Sequence, residues 1–161
     1  TDYQGVVKNL LKIYKYNFAK ESVLPLAQLL VTYLKKAFPE SLKNYYLLAL
    51  PLHPSREQWR GFNQSEEIAK ILAKEFQMEL LEKVLFRIKK TKPQVEMKDF
   101  KEREENVKGA FLINQGKKDF LKKKKIILID DVYTSGASLQ SAAKVLKEAG
   151  VSRIIGLVVA K

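Results

Sequence analysis

Lys125-Ile126-Ile127-Leu128-Ile129-Asp130-Asp131-Val132-Tyr133-Thr134-Ser135-Gly136-Ala137-Ser138-Leu139 is the stretch that decides the fold. Ile126 to Ile129 are apolar and mostly β-branched, the pattern of a strand buried on both faces, and helical spacing resumes at Leu139. Two adjacent carboxylates and a run of small residues therefore sit at a strand-to-helix junction. In an open α/β sheet ligands gather beyond the carboxyl ends of the strands, where the first N–H groups of the next helix lack partners. An anion suits that place. Gly136 and Ala137 keep side-chain bulk off the backbone so that amides can close around a phosphate, while Thr134, Ser135 and Ser138 add hydroxyl donors and a helix cap. Asp130 and Asp131 would repel a phosphate on the same spot; one sugar length away they can accept hydrogen bonds from ribose hydroxyls. Taken singly, each piece is an ordinary strand end, cap or turn. In this order they describe a ribose 5-phosphate site.

The same residues resemble the diphosphate-sugar motif of the type I phosphoribosyltransferases. The resemblance implies that Asp130 and Asp131 hold the ribose of phosphoribosyl pyrophosphate (PRPP) and that residues 134 to 138 hold its 5-phosphate.

Working outward, the rest of the chain fits an α/β alternation. Amphipathic helices are expected over residues 4 to 16 (Val6, Val7, Leu10, Leu11, Tyr14) and 23 to 37 (Leu24, Ala27, Leu30, Val31, Leu34). Tyr45 to Leu50 reads as a buried strand ended by Pro51 and Pro54. The following stretch, up to Asn63, reads as a loop. Asn63 is then an N-cap, with Glu66 completing a capping box, for a helix carrying Ile68, Ala69, Leu72, Ala73 and Phe76. Further strands are expected at Leu81 to Phe86, Gly109 to Ile113, Ile126 to Ile129 and Ile154 to Val159, and a helix at Ser138 to Ala149 stopped by Gly150. Strands alternating with helices predict a parallel sheet with right-handed crossovers. Residues 87 to 108, charged and with little periodicity, read as a lid. Tyr45, Tyr46, Trp59 and Phe62 are mostly core by this reading, and no alternation of basic and aromatic residues suggests a stacking platform.

At 161 residues the chain has the length of one domain, expected as N-terminal helices over 1–40 and an α/β core over 45–161 with the lid at 87–108. Cysteine is absent and His53 is the single histidine, so thiolate or polyhistidine zinc sites are excluded. No apolar run is long enough to span a bilayer and no signal-peptide pattern opens the chain, so it reads as cytoplasmic; a first residue of Thr rather than Met suggests that earlier residues preceded it. The net charge is +12, and residues 87 to 125 hold fourteen basic side chains against six acidic ones, or +8 of that total. Such a balance favours phosphorylated substrates or nucleic acid.

Pro51-Leu52-His53-Pro54, then Arg60-Gly61-Phe62-Asn63-Gln64, Arg87 through Thr91 with Gln94, and Arg103, Asn106, Gly109, Ala110 and Phe111 resemble the ComF family, whose members support DNA uptake in competent bacteria. Its members commonly begin with a four-Cys zinc module that this chain lacks. The expected fold is that of a type I phosphoribosyltransferase, a parallel sheet flanked by helices. Leu52, His53, Arg56 and Arg60, beyond the end of a strand, are expected to meet pyrophosphate; Thr91, Gln94 and Arg103 are lid residues by resemblance. For His53 itself a loop or cap role is the simpler expectation, since no orienting partner is visible. The implied chemistry is transfer of phosphoribosyl to an acceptor with release of pyrophosphate, with Mg²⁺ held mainly by substrate oxygens rather than by protein side chains. The rival expectation is a non-catalytic module that binds PRPP or a nucleotide and engages single-stranded DNA or a competence helicase.

Overall fold

The computed structural model describes residues 23–38, 42, 44–91 and 100–160. The helix expected over 4 to 16, and Gln94, lie outside them.

The central strand is the one the sequence singled out. Three parallel strands, β1 (Tyr45–Ala49), β4 (Lys125–Val132) and β5 (Arg153–Ala160), form a sheet in the order β1-β4-β5. Tyr45 pairs with Lys125 and Ala49 with Ile129 on one side of β4, and Ile126 pairs with Ile154 on the other. Because strand side chains alternate, Ile127 and Ile129 enter one core while Ile126 and Leu128 enter a second on the opposite face. The first core holds α1 (Val23–Ala37) and α3 (Gln64–Phe76); the second holds α6 (Ala137–Glu148).

Helix α1 buries Val23, Leu26, Ala27, Leu30, Val31 and Leu34. Leu24, expected inward, is exposed, because the stripe starts on Val23 and passes through Leu26. Helix α3 begins where Asn63 caps it, the Asn63 side chain accepting from the Ser65 N–H. Glu66 does not complete the expected capping box: its carboxylate pairs with Lys70 one turn on.

Between β1 and α3 the expected loop contains a short helix, α2 (Pro54–Arg60). Pro54, read as a strand breaker, supplies the fixed φ that suits a first helical position, and His53 caps the helix by accepting from the Ser55 N–H at 3.2 Å. Trp59, on this helix, is exposed rather than core; Phe62 and Tyr45 are buried as expected.

The all-parallel expectation needs one correction. The strand expected over 81 to 86 shrinks to β2 (Leu85–Arg87), and that over 109 to 113 shrinks to β3 (Phe111–Ile113); the two pair antiparallel in a small separate sheet. The chain joins the main sheet only at Leu80, bridged to Leu47, and then leaves it through Lys83 at φ 54. A non-glycine residue in the left-handed region marks a sharp change of direction that a straight strand cannot contain. The described ends of 87–108 are β2's last residue with its extension to Thr91, and α4 (Phe100–Val107), which rests on α6 through the Ser141 hydroxyl donating to the Val107 carbonyl at 2.9 Å. Residues 116 to 125, read as a connector, include a 3₁₀ turn (Gln115–Lys117) and the short helix α5 (Lys118–Leu121).

Helix α6 starts at Ala137, one residue before its expected start, and ends at Glu148. Gly150, at φ +89, follows Ala149 as the expected left-handed stop, its N–H donating to Lys147 and that of Val151 to Leu146. Among the described residues no helix is long and apolar enough to cross a membrane.

Candidate functional site

Strand β4 carries Asp130 and Asp131 at its carboxyl end, and its pleat sends their side chains to opposite faces. Asp130, half-buried, accepts from the Ser65 hydroxyl at 3.2 Å and from the N–H of Asp131 at 2.9 Å. Ser65 lies in the first turn of α3, so the start of one helix steadies the carboxylate at the end of the central strand. Asp131 is buried, with 8% exposure. Asn63 extends the same brace: its side-chain amide donates to the Leu50 carbonyl at 3.1 Å, and its carbonyl oxygen accepts from Ser65 N–H. Leu50 N–H in turn donates to the Ile129 carbonyl at 2.8 Å. Asn63 of the Arg-Gly-Phe-Asn-Gln string thus joins the ends of β1 and β4.

The turn after β4 runs through Thr134 and Ser135 to Gly136, which sits at φ +76 as the residue before α6. Ser135 Oγ accepts from the Ala137 N–H at 3.3 Å, within the turn that leads into this helix. A β-carbon at position 136 would stand 2.5 Å from the Tyr133 hydroxyl, so the turn closes only around glycine. Its result is a twelve-residue helix whose first amides face the end of β4.

A second group comes from α2, β2 and the residues that follow β2. Arg56 of α2 donates from Nη2 to the Thr91 carbonyl at 2.6 Å, and Arg87, closing β2, donates from Nη2 to the Thr91 hydroxyl at 2.6 Å. Arg87 lies over the Phe111 ring, 5.3 Å from its centroid. Burial first, and then the neighbouring charge of Arg56, push the Arg87 pKa down to about 10, while the Asp130 carboxylate pulls the other way. Thr91 thus brings Arg56 and Arg87 together, and the charge of Asp130 is felt at Arg87.

Arg60 ends α2 and donates to Gln64 Oε1 at 3.0 Å; Leu52 is half-buried between β1 and α2. Arg103 is half-buried on α4. Arg87, Ser65 and Asn63 were not singled out by sequence as site residues. The signal for Ser65 was its place in a helix's first turn, and for Arg87 its place at a strand end; neither distinguishes a ligand-facing side chain from a surface one. For a cation carried on substrate, carboxylate oxygen is the donor type present at the end of β4, one that suits a hard ion keeping several waters and phosphate oxygens.

At the opposite end of the sheet, where β1 and β4 begin, the ammonium of Lys124 donates to the Tyr46 hydroxyl at 3.0 Å and lies 4.8 Å and 4.7 Å from the ring centroids of Tyr46 and Phe120. These residues bound a basic, aromatic face that spacing in the chain did not reveal.

Residues 62–161 match the family model described as the Phosphoribosyl transferase domain. The chain is 32% identical over 154 residues to Competence protein ComFC of Streptococcus pneumoniae, covering 94% of this chain and 62% of that one. It is 31% identical over 108 residues to Competence protein F of Haemophilus influenzae, covering 67% of this chain and 46% of that protein. With Competence protein ComFC of Bacillus subtilis the identity is 29% over 148 residues, covering 92% and 56%. The chain thus spans between about half and three fifths of the length of these relatives. Among solved structures, the allosteric regulatory enzyme of purine biosynthesis superposes with a TM-score of 0.52 at 14% identity, covering 83% of this chain and 25% of that one.

Proposed function

From a chain that belongs to the phosphoribosyl transferase domain family, we propose a PRPP-binding protein that transfers the phosphoribosyl group to an acceptor and releases pyrophosphate. The observation that supports this most directly is the end of β4: two acids, then a glycine-closed turn, then the amide-lined start of α6. The amides of residues 134 to 138 hold the 5-phosphate, and Asp130 and Asp131 accept from the ribose hydroxyls. Arg56 serves the diphosphate at the other end. His53, already committed to the cap of α2, contributes through the placement of that helix.

Transfer breaks the bond between the anomeric carbon and a pyrophosphate oxygen and forms one from that carbon to the acceptor. No protein nucleophile is needed. The protein's part is to fix both charged ends of the substrate and to place negative carboxylates where the sugar becomes positive. Asp130 and Asp131 are the carboxylates at hand for a substrate-borne Mg²⁺, which would supply charge neutralisation for the leaving group when bound. The similarity to proteins named for competence supports a role in DNA uptake.

The test is calorimetric titration of PRPP with Mg²⁺, alongside an assay of pyrophosphate release across candidate acceptors. An Asp131→Asn chain that binds PRPP as tightly as the parent removes the assigned role of that acid.

A second reading, a module that holds its ligand without turnover and engages single-stranded DNA, is favoured by the Lys124, Tyr46 and Phe120 cluster at the far end of the sheet. Binding of DNA that falls steeply with salt and survives loss of Asp130 and Asp131 supports it, and steady pyrophosphate release speaks for the enzyme.

A further inference from the structure

We propose that the outer edge of β5, with the groove between it and α6, is the surface on which two copies of this chain pair antiparallel into one continuous sheet. The proposal is independent of the phosphoribosyl reading and goes beyond it.

In the order β1-β4-β5, strand β5 is an edge: β4 pairs with one side of it, and among the described residues no strand pairs with the other. Eight residues is long for an open edge, and proteins usually blunt such edges with charge, proline or a bulge. Here Ile154 to Val159 carry neither charge nor proline, and the register with β4 is unbroken, so no bulge turns the edge away. Beside the strand lies a groove of about 320 Å³, lined by Leu139, Gln140 and Ala143 of α6 and by Ile154, Gly156 and Val158 of β5. One charged side chain borders it, Lys147, whose ammonium is turned to the Ser152 carbonyl at 2.7 Å.

A net charge of +12 makes most faces of this chain repel a copy of themselves. The β5 edge is an exception, and it is self-complementary: outward N–H and C=O groups match those of an identical strand running the other way. Residues directly opposite in such a pair share a face, so a two-fold pair must set one residue opposite itself. With Gly156 on that axis, Ile154 of each copy meets Val158 of the other on the α6 face, and the two grooves merge into one. The two Arg153 side chains then stand about 20 Å apart at about 3.3 Å per residue, beyond the reach of their repulsion at physiological salt. Aligned in parallel, they would lie side by side. Because the paired strands run in opposite directions, the carboxyl ends of the two sheets point apart and both glycine turns stay open. The two edges and grooves bury on the order of 1,000 Å² in all, at the low end for specific interfaces, so the dimer should dissociate on dilution.

The experiment is sedimentation velocity of the full chain from about 1 to about 200 μM, a range that brackets the dissociation of a small interface, with Gly156→Lys, Ala143→Arg and Phe86→Lys beside the parent. A β-carbon at Gly156 meets nothing nearer than Leu139 Cδ1 at 3.7 Å, so a lysine fits the single chain while its charge falls on the axis against its own copy. The parent is expected to pass from one chain mass to two across that range, and the Gly156→Lys and Ala143→Arg chains to associate at least about tenfold more weakly. Phe86→Lys, which alters an exposed apolar residue of the small sheet, should associate like the parent. Added salt should strengthen the dimer, because net charge opposes it and the face holds no ion pair across the axis. A parent that stays monomeric throughout overturns the proposal. So does a dimer that survives Gly156→Lys at parental strength, one lost only on Phe86→Lys, or one that salt weakens. Should Gly156→Lys fail to fold by urea unfolding, Ala143→Arg on the half-buried side of α6 decides the question in the same way.

Discussion

The Ser65 hydroxyl donates to Asp130 across 3.2 Å, tying the first turn of α3 to the first of the two carboxylates at the end of β4. Replacing Ser65 with Ala leaves a half-buried carboxylate short of one donor. A loss of about 1 kcal/mol in stability and a several-fold loss in PRPP affinity are expected, read by urea unfolding and calorimetry on the same preparation. Unchanged affinity with reduced stability would make the bond structural only.

Asn63 serves both a helix and a strand end, through Ser65 N–H and the Leu50 carbonyl. Asn63→Ala should therefore cost more than a surface cap alone, about 1 to 2 kcal/mol, while Asn63→Asp keeps the cap and loses only the bond to Leu50. Urea midpoints in the order parent, Asp, Ala are the expected ranking.

At Gly136 two constraints coincide, a φ of +76 and the ring of Tyr133 where a β-carbon would stand. Gly136→Ala is expected to lose about 1 to 3 kcal/mol of stability and to weaken ribose 5-phosphate binding. Adding Tyr133→Ala relieves the collision but not the backbone strain, so the double variant should recover only part of the stability. Full recovery would show that the backbone conformation imposes no constraint.

Arg87 is held charged at a place that disfavours charge. Met has nearly its length and no need of water, so Arg87→Met should be as stable as the parent or up to about 4 kcal/mol more so. The sign of the pH dependence follows from the lowered pKa. The folded state releases this proton near pH 10 while the unfolded chain still holds it, so the penalty is complete below that pH and shrinks as pH rises through it. The stability gap between Arg87→Met and the parent should narrow above about pH 10, measured by denaturant unfolding at several pH values. A gap that widens there contradicts the assignment.

Sequence was sufficient for the parts of the fold that rest on local pattern. Ile126 to Ile129 announced a strand buried on both faces, and Asn63 and Gly150 marked helix ends by side-chain and backbone chemistry. What it missed was set by distant contacts. The direction in which β2 and β3 pair depends on the chain leaving the main sheet at Lys83, and nothing in the run Leu81 to Phe86 says that Leu80 alone bridges to Leu47. Helix α2 is hidden in the sequence because Pro54 suits equally a breaker of the strand before it and the start of a helix after it. The acids and the glycine turn were legible because they are contiguous. Arg87 was one basic residue among fourteen in its region, and only its burial sets it apart. The meeting of Lys124 with Tyr46, seventy-eight positions away, could not be read from spacing at all.

The two cores share β4, Ile127 and Ile129 belonging to one and Ile126 and Leu128 to the other. Neither layer can therefore melt while its neighbour stays intact, since loosening this strand empties both at once. Heating should dismantle the sheet and its flanking helices in a single cooperative step, and the ligand-holding carboxylates would vanish with it rather than fray beforehand.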